Sequence, residues 1–214
     1  MDAWQKTEKP VRARLGILGG TFNPLHVGHL VLAQNAMEIF DLSRILFLPS
    51  HIPPHKDTAM VVEARHRLAM LEAVMEDEWR FDLCDLELQR EGPTYTIDTL
   101  HELHKLYPSC SLNFIIGADT LTELHAWKDI YAVLESCNML TLCRPGAEIE
   151  RLTPENIKLE APWPERLLEN LASGRLMDIS SSDIRHRVAE GLSIRYLVPP
   201  PVEMYIAEHH LYGA

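Results

Sequence analysis

Two rhythms alternate along the chain. Leu15 to Leu18 is a short apolar run, and Val27 to Phe40 then sets Val31, Leu32, Met37 and Phe40 at mixed three- and four-residue spacings, the period of a helix with one buried face. The pairing recurs. Arg44 to Leu48 predicts a strand ending at Pro49. Val62 to Met75 predicts a helix with Leu68, Leu71 and Val74 on one face, and Arg80 to Leu88 alternates apolar and polar residues as a strand does. Past a Gly-Pro turn within Glu91 to Thr94, the pattern predicts a helix over Thr96 to Leu106 and a fully buried strand over Leu112 to Ile116. Short helices follow over Leu121 to Trp127 and Ile130 to Glu135, then a fifth strand over Asn138 to Cys143. Ala147 to Ser173 is less regular, carries three prolines and reads as a surface excursion covering the sheet. From Leu176 the expectation is strand, helix, and a C-terminal helix over Val202 to His210.

Such alternation predicts the α/β class: a Rossmann-like, doubly wound parallel sheet with helices on both faces and a small helical part at the C-terminal end. No repeat, low-complexity tract or strong linker divides the chain. Residues 1–214 are therefore read as one domain, with 1–13 as an N-terminal extension and 176–212 as its C-terminal segment. Ligands in these sheets bind beyond the carboxyl ends of the strands. Every candidate site below follows a predicted strand or opens a predicted helix.

Composition narrows the partners. Of 214 residues 46% are hydrophobic, enough for a sizeable core, and the net charge of -11 argues against a nucleic-acid partner, which needs a basic face. A small phosphate ligand responds to the local field and stays allowed. Cys84, Cys110, Cys137 and Cys143 form no C-x-x-C pair and read as reduced core residues. No apolar run approaches the ~20 residues of a membrane span, and the polar start lacks the apolar core of a signal peptide. The expected compartment is the cytoplasm, with no membrane partner. Self-association is compatible with everything in the sequence.

The densest chemistry lies in Gly19-Gly20-Thr21-Phe22-Asn23-Pro24-Leu25-His26-Val27-Gly28-His29, between the first strand and the first helix. A glycine-rich turn lets backbone N–H groups close on a phosphate at the positive end of a helix dipole. His26 and His29, at i and i+3, share a face of the first helical turn. A neutral imidazole donates one N–H, and an imidazolium donates two and adds charge. The rival reading, half of a zinc site, lacks ligands to complete it, and no protein metal site is expected. No Walker-type phosphate loop occurs, which argues against a P-loop kinase.

Four further segments carry candidate chemistry. Ile179-Ser180-Ser181-Ser182-Asp183-Ile184-Arg185 supplies a natural N-cap, and capping leaves Arg185 unexplained. Pro49 to Lys56 places Lys56 as a point charge for the phosphate of a second substrate, with a solvated lysine on a Pro-stiffened loop as the alternative. Gly92 to Leu100 delivers a helix N-terminus near Tyr95, with Thr94 or Thr96 as its cap and unpaired amides suited to a carboxylate. Phe114 to Asp119 offers Gly117 for close approach of a nucleoside and Asp119 for ribose hydroxyls. Trp127 offers a flat face for a heteroaromatic ring, with core packing as the alternative.

Gly19 to His29 resembles the signature of the nucleotidyltransferase superfamily of the (T/H)-x-G-H type. Thr21, His26, Gly28 and His29 match its phosphate-binding positions, and Asn23 stands where the family often carries Asp. The serine segment resembles that superfamily's I-S-S-T-x-I-R, which implies Ser181, Ser182 and Arg185 as phosphate ligands of ATP. Pro-Pro-His-Lys, Arg67-Leu68, Gly92 to Leu100, Gly117-Ala118-Asp119, Trp127-Lys128 and Tyr196 to Pro199 followed by Val202 and Tyr205-Ile206 resemble bacterial nicotinate mononucleotide adenylyltransferases. That resemblance implies adenylyl transfer from ATP to nicotinate mononucleotide. His26, His29 and Arg185 are then catalytic. Gly19, Gly20, Thr21, Phe22, Gly28, Gly117, Asp119, Ser181 and Ser182 join them around ATP. Lys56, Thr94, Tyr95, Thr96 and Trp127 hold the acceptor, and Mg²⁺ rides on the ATP phosphates. The rivals are another phosphate acceptor and a nucleotide-binding regulator without turnover.

Overall fold

The computed structural model describes residues 13–51, 61–76, 78–143, 152–175 and 177–213. Strands β1 (Ala13–Gly20), β2 (Arg44–Pro49), β3 (Phe81–Leu83), β4 (Cys110–Gly117), β5 (Asn138–Cys143) and β6 (Leu171–Ser173) form one sheet in the order β3-β2-β1-β4-β5-β6. All neighbours run parallel, with Leu15 opposite Arg44 on one side and Leu112 on the other. The strand order reverses between β1 and β4, so their carboxyl ends, at Gly20 and Gly117, flank the crevice where ligands of such sheets sit.

The connections are α1 (Val27–Phe40), α2 (Ala64–Met75), α3 (Thr96–Leu106), α4 (Ala118–Leu121), α5 (Ile130–Ser136) and α6 (Trp163–Glu169), followed by α7 (Ser181–Ala189) and α8 (Pro200–Glu208). Successive strand residues point to opposite faces, and β4 shows the consequence. Leu112, Phe114 and Ile116 join Leu100 and Leu103 of α3 and Val133 of α5 in one core. Ile115 faces the other core, with Ala33 and Ala36 of α1, Met70 and Leu71 of α2, Ile184 of α7 and Val202 of α8. The sheet is thus covered on both sides, as the alternation predicts. Among the described residues, no helix is long and apolar enough to cross a membrane, and all four cysteines are free thiols.

Five local expectations are corrected. The third strand stops at Leu83 instead of Leu88, because the chain folds into turns at Asp85 to Arg90 and buries Glu87. The stretch expected as one helix over Leu121 to Trp127 divides into α4 and a single 3-10 turn, Leu124–Ala126. The irregular stretch before Gly174 contains α6 and the edge strand β6, the latter too short at three residues to show a period. No strand forms in residues 177–180. In α2 the buried face is Arg67, Met70 and Leu71, with Leu68 and Val74 only partly covered. An arginine thus lies on the core side of this helix.

Candidate active site

The loop after β1 closes tightly on itself. A Cβ on Gly20 would lie 3.0 Å from the ring of Phe22, whose backbone takes a left-handed φ of 46°, a conformation that L residues rarely adopt. The Phe22 ring, buried, meets the His29 ring edge-on at 5.0 Å and Phe47 of β2 at 5.6 Å. The loop is thus pinned by its own aromatic side chain.

His26 caps α1 with an extended backbone. Its ring stacks on that of His29, with centroids 3.7 Å apart and planes within 27°. A Cβ on Gly28 would sit 2.9 Å from His26 Nδ1, so only glycine leaves room for the ring there. The backbone N–H of His26 donates to His29 Nδ1 at 3.2 Å. That nitrogen is an acceptor, so the ring proton of His29 lies on Nε2, where it can be donated onward. The Val27 amide donates to the Leu197 carbonyl at 2.9 Å. Part of the first turn of α1 is thus tied internally.

The serine segment docks on this loop. Ser180 is the N-cap of α7, its hydroxyl accepting from Asp183 N–H at 3.1 Å. Ser181 Oγ donates to the Pro24 carbonyl at 3.0 Å. Arg185 donates through one nitrogen to the Asn23 carbonyl at 2.8 Å and through the other to Ser182 Oγ at 3.2 Å. Separations of 157 and 162 residues in sequence therefore close to hydrogen-bond contact. Arg187, in contrast, is spent on the Ser193 carbonyl.

At the end of β4, Gly117 leaves space for the Asp119 carboxylate, whose Oδ1 lies 2.5 Å from where a Cβ would be. Beyond α4, Lys128 Nζ bonds Asp98 of α3 at 3.1 Å and lies 4.5 Å from the centre of the Tyr95 ring. The Tyr95-Thr96 and Trp127-Lys128 segments are thereby brought together. Trp127 is half-buried and turns an edge to Phe114 at 6.0 Å, so core packing accounts for part of its surface. Neither Thr94 nor Thr96 caps α3. The cap is Tyr95, with no side-chain cap bond, while the Thr94 hydroxyl turns to Glu87 at 3.5 Å, because a buried carboxylate needs donors. Lys56 lies outside the described residues.

Four residues with no role expected from the sequence support these segments. Arg67, 1% exposed, donates to the carbonyls of Thr21 at 2.8 Å, Ser50 at 2.8 Å and His51 at 2.9 Å. Glu87 accepts from Thr99 Oγ1 at 2.8 Å, and Arg90 donates to the same hydroxyl at 2.7 Å. Burial raises the Glu87 carboxyl above its ordinary pKa, against the pull of Thr99, Arg90 and Thr94. Tyr212 donates to Asn23 Oδ1 at 2.8 Å, an oxygen that also accepts from Val62 N–H at 3.3 Å. Burial raises the Tyr212 phenol strongly, against the pull of Arg185 and Arg67, so it stays a proton donor. Asn23 therefore serves the loop as a neutral acceptor. Arg67 has a readable signal, a charge on the apolar face of a helix. Tyr212 has none, lying 189 residues from its partner.

A parallel sheet in this order, with a glycine loop and a serine-capped helix meeting at its switch point, defines a nucleotide-binding α/β protein. The chain belongs to the cytidylyltransferase-like family, whose model matches residues 17–187, and within it to the nicotinate-nucleotide adenylyltransferases, as the resemblance in its motifs implies. A probable nicotinate-nucleotide adenylyltransferase of Desulfitobacterium hafniense (strain DSM 10664 / DCB-2) is 42% identical over 200 residues, 93% of this chain and 95% of its own length. One from Geobacillus thermodenitrificans (strain NG80-2) is 42% identical over 201 residues, 94% of this chain and 87% of its own. Among solved structures, Plasmodium falciparum nicotinic acid mononucleotide adenylyltransferase complexed with NaAD has a TM-score of 0.68 at 18% identity, covering 93% of this chain and 97% of that one. At that identity the likeness is one of fold.

Proposed function

We propose that this chain transfers the adenylyl group of ATP to nicotinate mononucleotide, giving deamido-NAD and pyrophosphate. The observation that carries this reading is the docking of Ser181 and Arg185 on the Asn23-Pro24 backbone, beside the stacked imidazoles of His26 and His29. The arrangement gathers donors and positive charge at one end of the crevice, where a triphosphate needs them. The relatives' names support the choice of reaction, and the pairing of Lys128 with Asp98 and Tyr95 supports an acceptor site farther along.

An oxygen of the mononucleotide 5′-phosphate attacks the α-phosphorus of ATP in line. The bond from that phosphorus to the oxygen bridging to the β-phosphate breaks, and pyrophosphate leaves with the electron pair. The attacking phosphate is already an anion near neutral pH, with a second pKa of ~6, so no general base is assigned. Rate enhancement comes from positioning and charge stabilisation. His29 faces the α-phosphate, His26 its neighbours, and Ser181, Ser182 and Arg185 the terminal phosphates. Gly19, Gly20, Thr21, Phe22 and Gly28 shape the loop, and Gly117 and Asp119 take the nucleoside. ATP enters as its magnesium complex. Imidazoles, hydroxyls and a guanidinium suit phosphate oxygens better than a hard cation, so the ion stays with the substrate.

Tyr95, Thr96 and Trp127 are assigned to the pyridine, and Lys56 to the acceptor phosphate. The amides opening α3 favour a carboxylate over a neutral amide. We assign the reaction to the cytosol, where ATP is supplied. The test is pyrophosphate release from ATP with nicotinate mononucleotide, nicotinamide mononucleotide and phosphopantetheine as acceptors. The highest kcat/KM is expected for nicotinate mononucleotide. Equal values for the two pyridine nucleotides would defeat the selectivity, and no release with any acceptor would defeat the reaction.

A further inference from the structure

Tyr212 lies past α8 and reaches back to the loop after β1. The helix closes with the Leu211 N–H on the Ile206 carbonyl at 3.0 Å and the His210 N–H on the Ala207 carbonyl at 3.4 Å, the paired bonds of a helix end whose next residue is left-handed. Glycine is usual at that position. Here it is His210, with φ 49°, and Tyr212 follows with φ 60°. An L residue is strained in that region, and such strain persists where the surroundings over-determine it. The reversal sets the Tyr212 hydroxyl 2.8 Å from Asn23 Oδ1. Residues 21–25 lie beyond the pairing of β1 with β2, which ends at Gly20 opposite Pro49, so the sheet does not place Asn23.

We infer that Tyr212 is a positioning residue for Arg185: it fixes Asn23, the anchor that aims the guanidinium at the terminal phosphates of ATP. This rests on the function proposed above. Buried Asn23 is gripped at two atoms. Its carbonyl accepts from Arg185 at 2.8 Å, and its side-chain oxygen accepts from Tyr212 at 2.8 Å and from Val62 N–H at 3.3 Å. The first of these side-chain bonds has the ordinary length and the second is stretched, so the phenol sets the plane of the amide. Arg185 uses one N–H of each terminal nitrogen on Asn23 and Ser182, and each such nitrogen carries a second. Ser182 lies one turn back on the same helix, so it moves with Arg185. Asn23 is what ties the guanidinium to the loop. The planar group fixes where its remaining N–H donors point, and that direction follows the Asn23 carbonyl.

Tyr212→Phe removes the hydroxyl and keeps the ring. It is compared with wild type, with Arg185→Lys and with the double variant by calorimetric titration with ATP, by steady-state kinetics and by thermal unfolding. Lysine keeps the charge but has no second nitrogen to hold anchor and phosphate together. Tyr212→Phe is expected to weaken ATP binding and raise the KM for ATP about three- to tenfold, the range of one lost hydrogen bond, with the KM for the acceptor within about twofold of wild type. In the Arg185→Lys background the same change is expected to alter ATP affinity less than about twofold, because residues that act through one another are not additive.

An ATP affinity unchanged by Tyr212→Phe overturns the inference. So does an equal rise in both KM values, which is general loosening, and so does an equal loss in both backgrounds, which means that Tyr212 acts without Arg185. Failure of Tyr212→Phe to fold overturns it as well, by making the hydroxyl a structural bond alone. The ATP titration needs no acceptor. A wild type that binds ATP but releases no pyrophosphate therefore defeats the proposed reaction and leaves this inference to be read from the titration. A wild type that does not bind ATP overturns both.

Discussion

The region we assign to ATP, the donor end, and the region we assign to the acceptor, the acceptor end, are built by different means. At the donor end, side chains bond backbone carbonyls across long stretches of sequence: Arg185 to Asn23, Ser181 to Pro24, Arg67 to Thr21. His26, Phe22 and Asn23 are buried there. At the acceptor end, side chains pair with side chains near the surface. Lys128 and Asp98 are both close to half exposed, and the Tyr95 ring is open to solvent. The buried Glu87 carboxylate, with Thr99 and Arg90, anchors this end from within. Backbone-directed bonds tolerate few substitutions, because each carbonyl needs a donor at one place. Exposed ion pairs contribute little and exchange easily. On the assignment proposed above, nucleotidyl transfer rests on the rigid end, and acceptor choice on the end that can vary.

The contrast breaks most visibly at His29. His29→Ala is expected to lower kcat by 10²- to 10³-fold, about 3 kcal/mol, with a much smaller change in the KM for ATP. The motive is the His26 amide, which holds Nδ1 and leaves the ring proton on Nε2. Steady-state kinetics decide the matter, and an unchanged kcat would remove His29 from the chemistry.

A smaller effect is expected at the one buried acid of the acceptor end. Burial raises the Glu87 carboxyl above its ordinary value of 4.5. The folded protein therefore holds that proton more tightly than the unfolded chain. This contribution to stability is complete below pH 4.5 and is lost as pH climbs through the raised value. Glu87→Gln cannot titrate. Its melting temperature relative to wild type should rise as pH climbs above 4.5. A difference that stays flat across that range would show that the carboxylate is fully compensated by Thr99, Arg90 and Thr94.

The smallest effect belongs to the exposed pair. Lys128→Ala should leave the melting temperature nearly unchanged, since such a bridge contributes about 0 to 1 kcal/mol. It should raise the KM for the acceptor a few-fold while leaving that for ATP alone. A raised KM for ATP instead would merge the two ends and dissolve the comparison.

Most elements were legible because their signals are local. The spans of α1 and α3 match the periodic stretches Val27 to Phe40 and Thr96 to Leu106, and the parallel sheet follows from the alternation. The misreadings have short range or shared signals as their cause. Cys84, Leu86 and Leu88 alternate as a strand would, yet the chain turns there to bury Glu87. The three residues of β6 give no period to read.

Backbone geometry needs only a few neighbouring residues to choose helix or strand. The amino-acid order therefore determined by itself where the glycine loop, the imidazole pair and the serine cap lie along the chain, and that a doubly wound sheet carries them. Folding alone decided that Arg185 reaches Asn23, that Tyr212 completes the same loop, and that an arginine on the apolar face of α2 joins the exits of two strands. Those bonds form because buried carbonyls and guanidinium groups must find partners once water is excluded. Which partner each one finds depends on the packing of segments far apart in sequence.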